Sequence, residues 1–183
     1  MNLKKIKSGN KIPKEIYVII EISAFSTPIK YEINKKNQLL MVDRIIPTSM
    51  FYPCNYGYIN KTLSLDGDPL DALVITPYPL IPYSIIACKP IGMLNMEDES
   101  GQDYKILCVP IKKICSKYNK VKNIHDISKS ILNKIEHFFK YYKKLEKNKW
   151  TKILEWKDKQ DTQKEIINSI KRYKKHIKYK KIY

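Results

Sequence analysis

Three carboxylates stand within six residues at Asp66, Asp68 and Asp71, in the segment DGDPLD, where Gly67 and Pro69 impose a turn. Like charges this close raise one another's pKa and destabilise a fold unless cations intervene, so a bound metal is one resolution and a solvated acidic turn the other. Ligands that are all oxygen favour a hard divalent ion such as Mg²⁺ or Mn²⁺, and the spacing, with no Glu at the twelfth position, excludes a calcium EF-hand loop. A second acidic cluster, Glu97, Asp98, Glu99 and Asp103, precedes Lys105. By itself it passes for a hydrophilic hairpin turn. One turn cannot supply every ligand of a metal-rich site, and Glu21, Glu32 and Asp103, on strands or strand ends, are available to add to it. Directly before the first turn lies the aromatic segment MFYPCNYGYI, with Tyr52, Tyr56 and Tyr58. Such clusters are commonly core, but tyrosine hydroxyls also donate to phosphate oxygens. Arg44 is the only arginine in the first 171 residues of a lysine-rich chain, which suits a bidentate anion contact. Together with Lys30, Lys105 and Lys143, it alternates cations with metal-binding acids, as a small, highly charged phosphate ester or anhydride would require.

Strands and a helix are needed to hold these side chains. Residues 17–22 (YVIIEI) are β-branched and predict a buried strand interrupted by Glu21, and a lone buried acid needs a partner. Residues 29–33 and 38–46 predict the arms of a hairpin around a turn at 34–37. Period 2 places Ile29, Tyr31 and Ile33 on one face and Lys30 and Glu32 on the other. Further short strands are expected at 70–76, 84–96 and 104–109. The period then changes: Ile131, Ile135, Phe138, Tyr142 and Leu145 recur at three and four residues, predicting an amphipathic helix over 128–146. Tyr142 falls on its inner stripe, with Lys143 at the edge. Thr162 and Glu165 have the spacing of a capping box before Ile166, Ile167, Ile170 and Tyr173, which predicts a final helix. Early strands followed by helices predict a β-barrel or curved sheet with helices alongside. No repeat or Gly/Ser linker divides the chain, so residues 1–173 read as one domain and residues 174–183 as a basic tail.

Composition narrows the function. At 183 residues, with 43% hydrophobic and 29% charged side chains, the chain is a globular domain. Its net charge of +17 comes from 33 Lys and only 2 Arg, alongside 29 Ile, 14 Tyr and 12 Asn. These are residues that an AT-rich coding sequence accumulates, so much of the charge, the tail included, reads as drift on solvated surface. The first 14 residues contain no apolar run of signal-peptide length, and a cytosolic protein is expected. Residues 73–94 have membrane-like length, but Pro77, Pro79, Pro82 and Pro90 would break a spanning helix. Cys54, Cys88, Cys108 and Cys115 show no CxxC spacing and read as reduced, structural thiols. The competing reading is a basic OB-like module for single-stranded nucleic acid. It would set Glu21, Glu32, Asp66, Asp68, Asp71, Asp98 and Asp103 among its aromatics, where they repel the backbone. A metal-stapled turn without catalysis leaves Lys30, Arg44 and the Tyr142 and Lys143 pair unexplained.

The chain resembles the family I soluble inorganic pyrophosphatases of bacterial type. DGDPLD fits that family's signature and sits among IYVIIEI, PIKYEI, VDRI, MFYPCNYGYI and HFFKYYKKLEKNKW, in order from about residue 13 to 156. The likeness is thin over 112–128 and after 157. It implies a mainly β fold with α elements, a compact five-stranded OB-like barrel with flanking C-terminal helices. It also implies Mg²⁺-dependent hydrolysis of pyrophosphate to two phosphates by direct in-line attack of a metal-activated water, without a phosphoenzyme. By motif position the metal ligands fall on Asp66, Asp71 and Asp103, with Asp98, Glu21 and Glu32 assisting. Asp68 falls on the catalytic position, orienting the nucleophile. Substrate-binding positions fall on Lys30, Arg44, Tyr56, Lys105, Tyr142 and Lys143, with Tyr52 in the pocket. Several Mg²⁺ ions per site, replaceable by Mn²⁺ or Zn²⁺, and a homohexamer in the cytoplasm belong to the same resemblance, which implies no specific nucleic acid and no membrane. Tyr141 stands where many bacterial members carry a His used for subunit contacts, although His137 remains.

Overall fold

The computed structural model describes residues 3–180. Lys181, Ile182 and Tyr183 of the expected tail, like Met1 and Asn2, lie outside the described residues. The elements follow as β1 (Ile16–Ile22), β2 (Ile29–Ile33), β3 (Leu40–Ile45), β4 (Asn55–Ile59), β5 (Asp71–Val74), β6 (Ile85–Asp98), β7 (Gly101–Pro110), α1 (Lys129–Tyr141), β8 (Thr151–Lys157) and α2 (Lys159–Lys180), with short 3₁₀ turns between them.

Five strands close on themselves in the order β1, β4, β5, β7, β6 and back to β1. Every contact in that ring is antiparallel except β5 with β7. This is the expected five-stranded ring with C-terminal helices. The 14-residue strand β6 serves two neighbours besides β7: its start pairs with β1 and its end with β8, with a register shift between Pro90 and Gly92. β2 and β3 form a separate hairpin.

The apolar runs of β5 and β7 follow from burial on both faces. Ala72, Val74, Ile106 and Cys108 pack on one side with Ile166 of α2, whereas Leu73, Leu107 and Val109 pack on the other with Ile135, Phe138 and Phe139 of α1. β4 lies so close over β1 that a Cβ on Gly57 would sit 1.9 Å from the Ile19 carbonyl oxygen. Cys54, Cys88 and Cys108 are buried, Cys115 is half-buried, and all four are free thiols. No helix among the described residues is long and apolar enough to cross a membrane.

Several expectations are corrected. The aromatic segment carries β4, and the Trp150–Trp156 region carries β8; neither was expected as a strand. α1 stops at Tyr141, with Tyr142 as its C-cap, and Leu145, expected on the inner stripe, is 74% exposed. Ile131 is also exposed, and Phe139 occupies the core instead. α2 begins before Thr162. Asp158 Oδ1 accepts from the backbone N–H groups of Gln160 (2.7 Å) and Asp161 (3.0 Å), so the cap is Asp158. Thr162 and Glu165 are then interior, buried positions of a helix that continues to Lys180.

Candidate active site

Local irregularities in two strand pairs aim the first acids and cations. The register of β1 on β4 shifts between Ile20 and Ile22, which singles out Glu21 as the extra residue of a bulge. Its carboxylate accepts from the Ile33 N–H (2.7 Å), tying β1 to the end of β2. The β2–β3 hairpin shifts between Lys30 and Tyr31, leaving Asp43 opposite no partner. Asp43 then contacts Lys30 (3.5 Å) and Arg44 Nη1 (2.8 Å), while Lys30 also pairs with Glu32.

The start of β5 and the middle of β7 lie parallel with Asp71 opposite Lys105. Lys105, only 4% exposed, donates through Nζ to Asp71 Oδ2 (2.5 Å) and contacts Asp103 Oδ2 (2.7 Å), and the Tyr56 hydroxyl donates to the same Asp71 oxygen (2.5 Å). Before β5, Gly67 at φ +92° turns the chain so that the Asp68 N–H donates to Asp66 Oδ1 (3.0 Å). Asp68 itself is exposed and pairs with Lys35 (2.9 Å). The β6–β7 hairpin brings Asp98 and Glu99 to Lys143, which follows the end of α1; Nζ to Asp98 Oδ2 is 2.7 Å and to Glu99 Oε1 3.2 Å. Lys143 is buried rather than at a helix edge. Two residues missed by sequence reasoning complete this corner: Glu146 lies 2.9 Å from Arg44 Nε, and Lys149 contacts Glu99 and Glu146. Their pairing crosses from β3 to the segment after α1, and no local pattern carries it.

The site residues expected from the sequence, Glu21, Lys30, Glu32, Arg44, Tyr56, Asp66, Asp68, Asp71, Asp98, Asp103, Lys105, Tyr142 and Lys143, line one cavity of about 260 Å³. Tyr52 does not. It is buried against Phe138 (4.8 Å between ring centroids) and Tyr56 (6.0 Å) and borders a different groove.

The cavity is short of positive charge on its acidic side. Burial, with Asp71 and Glu32 nearby, pushes the Glu21 carboxyl up to about 8 even though Ile33 donates to it. Burial raises Asp103 to about 6, with Asp71 and Asp66 adding to the rise and Lys105 opposing it, and burial raises Asp66 as well. Burial works against the Lys105 ammonium, but Asp103 and Asp71 outweigh it and hold its pKa well above the ordinary value. On the other side Lys143 and the Ser100 N–H overcome burial and hold Asp98 below its usual range. Among the described residues no three acids, histidines or cysteines already converge as a metal cage, because the Lys105 ammonium stands between Asp71 and Asp103. The donor set is nonetheless all oxygen, carboxylate-rich and under-neutralised, which fits a hard divalent cation.

The model of the family described as Inorganic pyrophosphatase matches residues 18–174. The chain is 57% identical over 175 residues to an inorganic pyrophosphatase of Buchnera aphidicola subsp. Baizongia pistaciae, covering 96% of this chain and all of that one. It is 50% identical over 174 residues to the inorganic pyrophosphatase of Escherichia coli K12, covering 95% and 99%. Its fold is similar to the solved structure of an inorganic pyrophosphatase from Coxiella burnetii, with a TM-score of 0.89 at 46% identity over 92% of this chain and 99% of the other.

Proposed function

The chain belongs to the family of soluble inorganic pyrophosphatases and is an inorganic diphosphatase; from that premise we propose a Mg²⁺-dependent hydrolysis in which water attacks phosphorus directly, in line with the bond that breaks, with no phosphoenzyme. The observation that carries this reading is the division of one cavity into an under-neutralised carboxylate side and a cationic side. Asp66, Asp71 and Asp103 would hold divalent cations, with Asp98, Glu21 and Glu32 assisting. Bound there, such ions supply Lewis acidity and neutralise substrate charge, and Mn²⁺ or Zn²⁺ can stand in for Mg²⁺.

The remaining work falls to side chains. Lys30, Arg44 and Lys143 face the phosphoryl oxygens as cations, and Tyr56 and Tyr142, whose hydroxyls burial keeps protonated, donate hydrogen bonds to them. Lys105, which here pairs with Asp71 and Asp103, would be free to neutralise substrate charge if those carboxylates held a divalent cation. Asp68, exposed at the mouth of the turn, orients the attacking water and takes its proton. No nucleophilic side chain is required, because a positioned water and a stabilised leaving phosphate account for both halves of the displacement. We place the enzyme in the cytoplasm as a homohexamer. Phosphate release from pyrophosphate tests the reading: it should depend on added Mg²⁺ and stop with chelator. Metal-independent release would overturn it, and sedimentation of the purified chain tests the hexamer.

A further inference from the structure

Glu165 and Arg172 are seven residues apart on α2, two helical turns, and so share a face. Arg172 pairs through Nη2 with Glu165 Oε1 and donates from Nε to the Leu63 carbonyl oxygen (2.8 Å). The Leu63 N–H in turn donates to the Ser169 carbonyl oxygen (3.0 Å). Both backbone polar groups of Leu63, in the loop between β4 and β5, are therefore held by α2. From Leu63 the chain runs straight into the acidic turn. The Ser64 N–H donates to the Asp68 carbonyl oxygen (2.7 Å), and Thr62 Oγ1 accepts from the Leu70 N–H (2.9 Å), closing the stem. At the tip, nothing beyond the adjoining Asp66 and Asp68 lies within 4 Å of where a Cβ on Gly67 would stand. Besides the exposed Lys35–Asp68 pair (2.9 Å) and the Asp68 N–H to Asp66 Oδ1 bond (3.0 Å), what holds Asp66 and Asp68 in place is the stem.

We infer that Arg172, which lies outside the cavity, is a positioning residue for hydrolysis, clamping the stem at Leu63 so that Asp66, Asp68 and Asp71 keep their aim. The inference rests on the roles proposed above for those acids. It also accounts for an arginine in a chain with only two: a planar fork serves a carboxylate and a carbonyl at once, whereas a lysine ammonium at the same place serves one.

The test uses the full chain and four proteins: parent, Arg172→Lys, Glu165→Gln, and Ile166→Val as a control that removes a core methyl from the same helix. Arg172→Lys should lower kcat roughly tenfold to a hundredfold, the cost of misplacing reacting groups by a fraction of an ångström to an ångström. KM for pyrophosphate should stay within about threefold, since Lys30, Arg44 and Lys143 sit on other elements. In the metal-free protein, amide hydrogen exchange at Leu63, Ser64, Asp68 and Leu70 should speed up at least about tenfold. Glu165→Gln should move both readings the same way by a smaller factor and decides the matter if Arg172→Lys does not fold. Ile166→Val should lower the melting temperature and change neither reading. Unchanged kcat with unchanged exchange in the folded variants overturns the clamp, as does an equal fall in kcat for the control. A parent without Mg²⁺-dependent hydrolysis would overturn the roles proposed for the acids, and the exchange measurement would then decide the clamp alone.

Discussion

Asp71 occupies the most contested position in the cavity, its Oδ2 accepting from both Tyr56 and Lys105 at 2.5 Å. Asp71→Asn keeps the shape and the bond to Tyr56 but removes the charge that faces Lys105 and would face a divalent cation. At saturating Mg²⁺ kcat should fall by about two orders of magnitude or more, with the fold retained by circular dichroism. Asp68→Asn should also be slow, through loss of a proton acceptor, by roughly 10²- to 10⁴-fold. Activity of Asp71→Asn within a few-fold of the parent would refute its assignment. Glu21 gives a different signature. Its folded pKa of about 8 lies above the ordinary 4.5, so between those values the native state keeps a proton that the unfolded chain has lost. The stability this confers is complete below about pH 4.5 and is lost as pH rises through 8, at up to about 1.4 kcal/mol per pH unit. Asp103 adds in the same direction up to about pH 6. Metal-stripped protein should therefore melt at a lower temperature at pH 8 than at pH 6, Mg²⁺ should raise the melting temperature more at pH 8, and Glu21→Gln should flatten the dependence. A higher melting temperature at pH 8 in the stripped parent would contradict it.

At the level of elements, the site depends on where strands depart from regularity. The bulge at Glu21 and the unpaired Asp43 turn side chains that period 2 alone would send elsewhere. The close approach of β4 to β1 at Gly57 belongs to the same construction, because β4 carries Tyr56 to Asp71. Gly57→Ala would drive a methyl into the Ile19 backbone, 1.9 Å from its carbonyl oxygen, with no flexible side chain to yield. Denaturant unfolding should show a loss of at least about 3 kcal/mol, or no folded protein. A loss under about 1 kcal/mol would mean that the two strands separate at little cost.

For the molecule as a whole, α2 has two parts with different duties. Ile166 and Ile170 pack against the ring and Arg172 holds the loop, whereas beyond Tyr173 the helix is largely exposed, with Lys174, Lys175 and Lys178 at its surface. Ending the chain at His176 leaves a further turn after Arg172 and should keep hydrolysis within about twofold of the parent, with any weak RNA or liposome binding reduced. Such binding by the full chain should disappear in moderate salt, as expected of solvent-exposed charges. A large loss of hydrolysis with the fold intact would assign the last residues to the site or to the assembly.

Patterns short enough to be local were legible from the chain itself. The strand at Glu21, the hairpin of Lys30 and Glu32, the acidic turn and the α1 stripe all rest on spacings of two to four residues, and the order of those motifs carried the family and most of the charged residues that line the cavity, though not Lys35 or Lys149. What tertiary structure decided lies at longer separation. β8 is a strand because the end of β6 offers it an open edge, and α1 stops at Tyr141 although Tyr142 and Lys143, which follow it, are still buried. Thr162 and Glu165 satisfy the capping-box spacing, yet Asp158 caps the helix and Glu165 turns to Arg172. Arg44 meets Glu146, and Arg172 meets Leu63 across 109 positions. A one-dimensional pattern reports only which residues share a face. Which face meets which is settled when the ring closes and buried polar groups must find partners within hydrogen-bond reach.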